Sequence, residues 1–195
     1  MTAKKEVILY KVLDFLSKES DQQLTLSNIA NALDMGKSTL YEYFSSKDEM
    51  IKEAILLLIE DNKNYLLNTN DIEGTSFKEA FHIHMNKSFH LAKKNQMMQN
   101  IADSVDYVSI PKNMKEEIMC KVQEMYGVSK SFFLSIIQKG IDEGIITQSQ
   151  QNVRAMTIES LFLGSFLTVS NTKRPFDESE FIEDLYNSLL ILLNN

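Results

Sequence analysis

Lys37 and Lys47 are the residues that folding alone explains least. Each opens a stretch with helical spacing, where the backbone dipole is already positive, and a cation there is unfavourable by roughly 0.3–1 kcal/mol. Stability alone would place an acid at such a position. A lysine beside the amides of a helix start instead completes a clamp for an anion, and phosphate suits that clamp. Ser38, Thr39, Tyr41 and Tyr43 add hydroxyl donors on or beside the same short stretch. The chemistry these residues offer together is phosphate binding.

Short helices must hold them. Leu26, Ile29, Ala30 and Leu33 mark one, with Thr25 as its N-cap. A tight break follows at Asp34-Met35-Gly36, and a second short helix runs from about Lys37 to Phe44. Ala30 is small where the two axes would cross closely. Leu26, Ile29, Leu33, Met35, Leu40 and Phe44 form one apolar set. This is the pattern of a helix-turn-helix, whose second helix enters the DNA major groove. A helical hairpin with half-buried tyrosines would explain the apolar positions, but not the two lysines or the hydroxyls.

The run Ile29-Ala30, then Lys37-Ser38-Thr39-Leu40-Tyr41-Glu42-Tyr43-Phe44, then Ser46-Lys47-Asp48-Glu49, resembles the DNA-binding module of the TetR family of bacterial transcriptional regulators. The resemblance covers about the first 55 residues; beyond them only chain length and helix order fit the family's layout. It implies an all-helical homodimer, with an N-terminal three-helix domain on a double-stranded DNA operator and a C-terminal domain that binds a small controlling effector. Thr25, Tyr41, Tyr43 and Lys47 match family positions that touch phosphates. Lys37, Ser38 and Thr39 match the groove-facing start of the recognition helix. Asp34 stands where the family often has glycine in the turn, and Gly36 replaces its usual serine cap.

The composition agrees with a helical protein that relies on a few placed contacts. Six glycines and two prolines in 195 residues leave room for long helices. The formal net charge of −7 argues against coating nucleic acid or an anionic membrane by bulk charge. Within residues 1–50, six lysines face eight carboxylates, so DNA affinity must come from a few contacts and from pairing. No stretch approaches the roughly 20 apolar residues of a membrane span, and the N-terminus does not read as a signal peptide. A single cysteine, Cys120, fits a reducing cytoplasm. Carboxylates nearby in sequence argue against its being a redox sensor. No paired carboxylates, nucleophile elbow, P-loop or dinucleotide fingerprint is present, so an enzyme is not expected and no cofactor is implied. A dimerisation scaffold without DNA binding is the remaining alternative.

The expected fold class is all-α, with about nine helices. The expected division is a DNA-binding domain at 1–46 and an effector-binding and dimerisation domain at 47–195. Capping boxes at Ser46–Glu49 and Ser76–Glu79, and an acidic version at Asp177–Glu180, predict three helix starts. Phe176 and Phe181 occupy the staple positions around the last. Long helices are expected from Lys47 to about Leu67, to about Lys94, from about Lys112 to Gly140 and from near Ser149 to about Ser170. A short helix is expected over about 97–107.

Six of the ten methionines fall between positions 85 and 125, with Phe81, Phe89 and Tyr107 beside or among them and Phe132 and Phe133 further on. Methionine suits adaptable binding surfaces, so a lipophilic effector is expected among Phe81, His84, Met85, Phe89, Met97, Ile101, Tyr107, Met125 and Phe133. His82 and His84 diverge on a helix, and no set of ligands completes a metal site around them, so no metal is expected. His84 shares a stripe with Phe77, Phe81 and Ser88 and is the favoured polar group. The last two helices carry wide apolar faces and a small-residue strip. A two-fold four-helix bundle through Leu161, Gly164, Phe166, Thr168, Leu185, Leu189 and Leu192 would bury them.

Overall fold

The computed structural model describes residues 2–18, 25–68, 72–94, 111–147, 151–172 and 175–194. Among them are eight α-helices and no strand: α1 (Ala3–Lys18), α2 (Leu26–Ala32), α3 (Lys37–Tyr41), α4 (Lys47–Leu67), α5 (Phe77–Lys94), α6 (Lys112–Asp142), α7 (Gln151–Asn171) and α8 (Glu178–Asn194). The all-α class and the helix order are those expected. The helix expected over 97–107 lies outside the described residues. α3 stops short of Phe44, because the chain turns at Glu42 and Tyr43 to put the Phe44 ring in the core.

Local chemistry sets the helix ends. At α5 the Ser76 hydroxyl accepts the Glu79 N–H at 3.3 Å, and the Ser76 N–H donates to the Glu79 carboxylate at 2.9 Å. The next amide, Phe77 N–H, donates to both oxygens of Glu143 at 2.9 and 3.0 Å, fastening the start of α5 to the end of α6. Gly144 takes φ 72° and closes α6 with backbone bonds to Ile141 and, through Ile145, to Gly140. At α8 Asp177 accepts from the Ser179 and Glu180 amides, and Phe176 meets Phe181 edge-on at 5.6 Å.

The chain forms two compact units, residues 1–62 with 96–125 and residues 63–95 with 126–195. In the first unit Ile8, Leu9, Val12 and Leu13 of α1 share one core with Ile29, Ala30 and Leu33 of α2, Leu40 of α3, Phe44, and Met50, Ile51, Ala54 and Ile55 of α4. Ile118 of α6 closes it. In the second, α5 packs against α7 and α8. The core there is rich in phenylalanine: Phe77, Phe81, Phe89 and Phe133, with Ile136, Ile182 and Leu189. Among the described residues no helix is long and apolar enough to cross a membrane.

Candidate functional site

The first unit builds a reading head from α2 and α3. Thr25 caps α2 with extended backbone, its hydroxyl oxygen accepting the Asn28 N–H at 3.2 Å. The helix ends in a Schellman motif: Asp34 N–H reaches Asn31 O at 3.0 Å, and Met35 N–H reaches Ala30 O at 2.9 Å. That geometry needs a left-handed residue, and Asp34 supplies it at φ 51°. Aspartate visits that region more readily than most side chains. Met35 then packs against the core, and Gly36 leads extended into α3 without a side-chain cap.

α3 is five residues long, with Leu40 buried against the head core. Lys37, Ser38 and Tyr41 lie exposed, Tyr41 at 55% of its surface, and Thr39 is half-buried. A helix this short has little dipole, so any anion here is held by side chains rather than by the helix end. Tyr43 is half-buried in the head, with the Lys4 ammonium 5.8 Å from its ring centre. Lys47 opens α4, which already has Asp48 and Glu49 in its first turn. The Ser46 hydroxyl accepts the Glu49 N–H at 3.1 Å. The Ser45 hydroxyl and amide donate to the Glu49 carboxylate and hold it below the usual carboxylate range. All seven expected DNA-binding residues thus fall in one compact unit.

The expected effector residues divide. Phe81, His84 and Phe133 come together in the second unit, with Phe81–Phe133 ring centres at 6.1 Å and His84–Phe133 at 5.5 Å. Met85 and Phe89 are buried in the same core, but Phe89 stacks on Phe181. Met97, Ile101 and Tyr107 lie outside the described residues. Met125 does not join the set: it packs against the core of the first unit, because its end of α6 belongs there.

His84 is a polar side chain deep in this core, 1% exposed. Phe132, Phe133 and Phe162 surround its ring at 5.4, 5.5 and 5.5 Å. Neither ring nitrogen has a hydrogen-bond partner among the described residues. Each buried nitrogen left so costs about 1–3 kcal/mol. Burial, and then the nearby Lys87 charge, push its pKa down to about 4, so the ring is neutral at pH 7. His82 turns elsewhere, 3.1 Å from Glu183, which also pairs with Lys78.

Residues 17–54, spanning the cap, both short helices and the start of α4, match the model of bacterial regulatory proteins, tetR family. That segment, with α2 and α3 as its helix-turn-helix, is what the chain shares with the tetR family. Solved structures extend a likeness of fold over the whole chain. The fatty acid degradation regulator FadR from Bacillus halodurans is 15% identical with a TM-score of 0.67, over 97% of this chain and 96% of that one. FadR from Bacillus subtilis, in complex with stearoyl-CoA, is 18% identical at 0.64, over 96% of each chain. AibR, in complex with isovaleryl coenzyme A and operator DNA, is 14% identical at 0.60, over 95% and 97%. No curated protein matches the sequence.

The residues expected for pairing divide: Gly164, Thr168 and Leu192 lie exposed, and others are buried in the chain's own core. Leu189 is 0% exposed and Leu185 is buried, both in the chain's own core with Ile182, Tyr186 and Leu193. Those positions form the inner stripe of α8, so its outer stripe is Asn187, Ser188, Ile191 and Leu192. Leu161 and Phe166 are half-buried against the same core. On α7 the outward strip is Leu163, Gly164, Leu167 and Thr168, with Leu163 42% and Leu167 49% exposed. Gly164 meets nothing that a side chain would strike. Leu163, Leu167 and Ile191 belong to the wide apolar faces read from the sequence, and with Leu192 they are the large apolar residues that stand exposed there. The signal was present as a four-residue spacing, but the phase was not.

Proposed function

We propose that the chain is a homodimeric repressor that binds a palindromic operator and is released by a small lipophilic effector held in the second unit. The observation that carries this reading is α3: inside the span matched to the tetR model, Lys37, Ser38 and Tyr41 face solvent while Leu40 is buried. A face of donors and one cation, backed by a fixed apolar one, suits phosphate and groove contact. Two copies joined through the outward strips of α7 and α8 would set two α3 helices in successive major grooves, ~34 Å apart. Thr25, Tyr43 and Lys47 flank α3 as phosphate contacts.

The effector reading is supported by the apolar core around His84 and by two fold neighbours solved with acyl-CoA ligands. α4 is the expected lever: one uninterrupted helix whose first residues belong to the first unit and whose last belong to the second. A coupling of a few kcal/mol suffices to break one half-site. The protein acts as a cytoplasmic binding protein without cofactor, metal or catalytic site.

The test is capture of sheared genomic DNA from the source organism on the purified chain, followed by sequencing. Recovery of one or a few palindromic sites beside promoters is the expected result. Retention at background level, with and without extracts containing small metabolites, would overturn the reading and leave a dimerisation scaffold.

A further inference from the structure

A helical core has no packing need for a histidine at position 84. Leucine or methionine would fill similar volume without two polar atoms. Buried polar atoms in native proteins are paired in the great majority, so a ring with both nitrogens unpaired marks a function. Four rings from three helices converge here: His84 of α5, Phe132 and Phe133 of α6, and Phe162 of α7. The ring planes of His84, Phe133 and Phe162 lie within 28° of one another. Phe132 and Phe162 are only half-buried, so this group of rings reaches from the buried core toward solvent.

The electrostatics narrow what that guest carries. A neutral imidazole offers one N–H donor and one acceptor nitrogen. α6 and α7 present phenylalanine rings to it, and among the described residues the charge acting on it is Lys87 of its own helix. That ammonium is engaged elsewhere, donating to Asn68 O at 3.0 Å and lying 5.8 Å from the Tyr65 ring centre. A carboxylate brought here would be a buried charge with no available cation among the described residues, unless His84 took up a proton to meet it.

We infer that His84 is the polar anchor of the effector site, and that it receives an uncharged hydrogen-bond acceptor, the carbonyl of a ketone, ester or thioester on an otherwise apolar molecule. This rests on the proposal that the second unit holds an effector, and it adds the residue, the group and the charge state. The ring N–H donates to the guest's carbonyl oxygen, and the guest's apolar body lies along the phenylalanines.

The test uses the full chain with two probes of like size, 2-nonanone and octanoate, titrated by calorimetry at pH 6 and pH 8 against the native protein and His84→Leu. The side-chain ¹⁵N shifts of His84 are followed alongside. The expected result is that 2-nonanone binds the native chain equally at both pH values, binds His84→Leu about tenfold more weakly, and moves the ring ¹⁵N signals of a neutral imidazole. Tighter binding of octanoate, strengthening at pH 6 with a protonated ring, would overturn the uncharged acceptor. Equal binding of both probes to the native chain and His84→Leu would overturn the anchor while leaving an effector site in this unit. Binding of neither probe by the native chain would overturn the anchor and the effector site together. His84→Leu removes an unpaired polar group, so it folds; circular dichroism verifies that before titration.

Discussion

Gly140 lies directly against the ring of Phe77: a Cβ built on it would stand 3.0 Å from two ring atoms and 2.7 Å from the end of Ile146. Phe77 is fully buried, and its amide is held by Glu143, so the ring has nowhere to go. In an open helix, alanine stabilises over glycine by about 1 kcal/mol. Here the sign reverses. Gly140→Ala is expected to lower stability by about 1–3 kcal/mol through overpacking. Gly127→Ala on the same helix, where nothing lies within 4 Å, is expected to raise it by about 0.5–1 kcal/mol. Urea denaturation of both variants decides it, and a gain at both positions would mean that the contact yields.

His84 sets an acid limit on stability. Its folded pKa of about 4 lies below the unfolded value of 6.5, so between these the unfolded chain binds more protons. Stability from this group is complete above pH 6.5 and drains as the pH falls toward 4, by about 3 kcal/mol. Because both ring nitrogens are buried without partners among the described residues, His84→Leu should be more stable than the native chain at pH 7. Its advantage should widen steadily down to pH 4. A difference that stays flat with pH would mean that the ring is not buried as a neutral group.

The outward residues of α3 can be separated from the fold. Lys37→Ala and Tyr41→Phe are expected to leave the melting temperature unchanged, since both side chains stand in solvent. Lys37→Ala should weaken DNA binding by about tenfold and reduce the salt slope of affinity by about one. Tyr41→Phe should weaken it by a few-fold. Gel-shift titrations across a salt series measure both effects. A parallel fall in melting temperature would reassign the residues to the core.

Pairing and folding are likewise separable on the last two helices. Leu167→Glu and Ile191→Glu are expected to give folded monomers with weakened DNA binding, because both side chains face out. Leu189→Glu is expected to unfold the second unit, since it would bury a charge in a dry core at a cost above about 3 kcal/mol. Light scattering with circular dichroism distinguishes the two. A dimer that survives Leu167→Glu with Ile191→Glu would move the interface elsewhere.

What the sequence made legible was local. The Thr25 cap, the left-handed turn at Asp34, the Ser76–Glu79 box and the Phe176–Phe181 staple each depend on residues within one turn. Their geometry appears as the spacing predicts. The apolar set of α2 and α3 was readable because both helices are short and mostly polar outside. The outward side of α8 was not. Leu185, Leu189, Leu190, Ile191, Leu192 and Leu193 cover most of a turn's circumference, so periodicity leaves the phase open until α5 fixes it. Met125 was misplaced because one long helix serves two cores. The cage around His84 was also out of reach, since Phe162 comes from a helix distant in sequence.

On the proposed reading the cap of α2 would carry two duties in one side chain. The Thr25 oxygen accepts a backbone amide, and its hydroxyl proton would donate to a phosphate. Aspartate caps a helix at least as well, but its carboxylate would repel a phosphate. Thr25→Asp would therefore fold and pair while failing to read DNA. In a cell making both versions of the chain, mixed pairs would carry one blind half-site. Such an allele would be dominant over the native one, and inheritance in a heterozygous strain would report on the architecture of the protein.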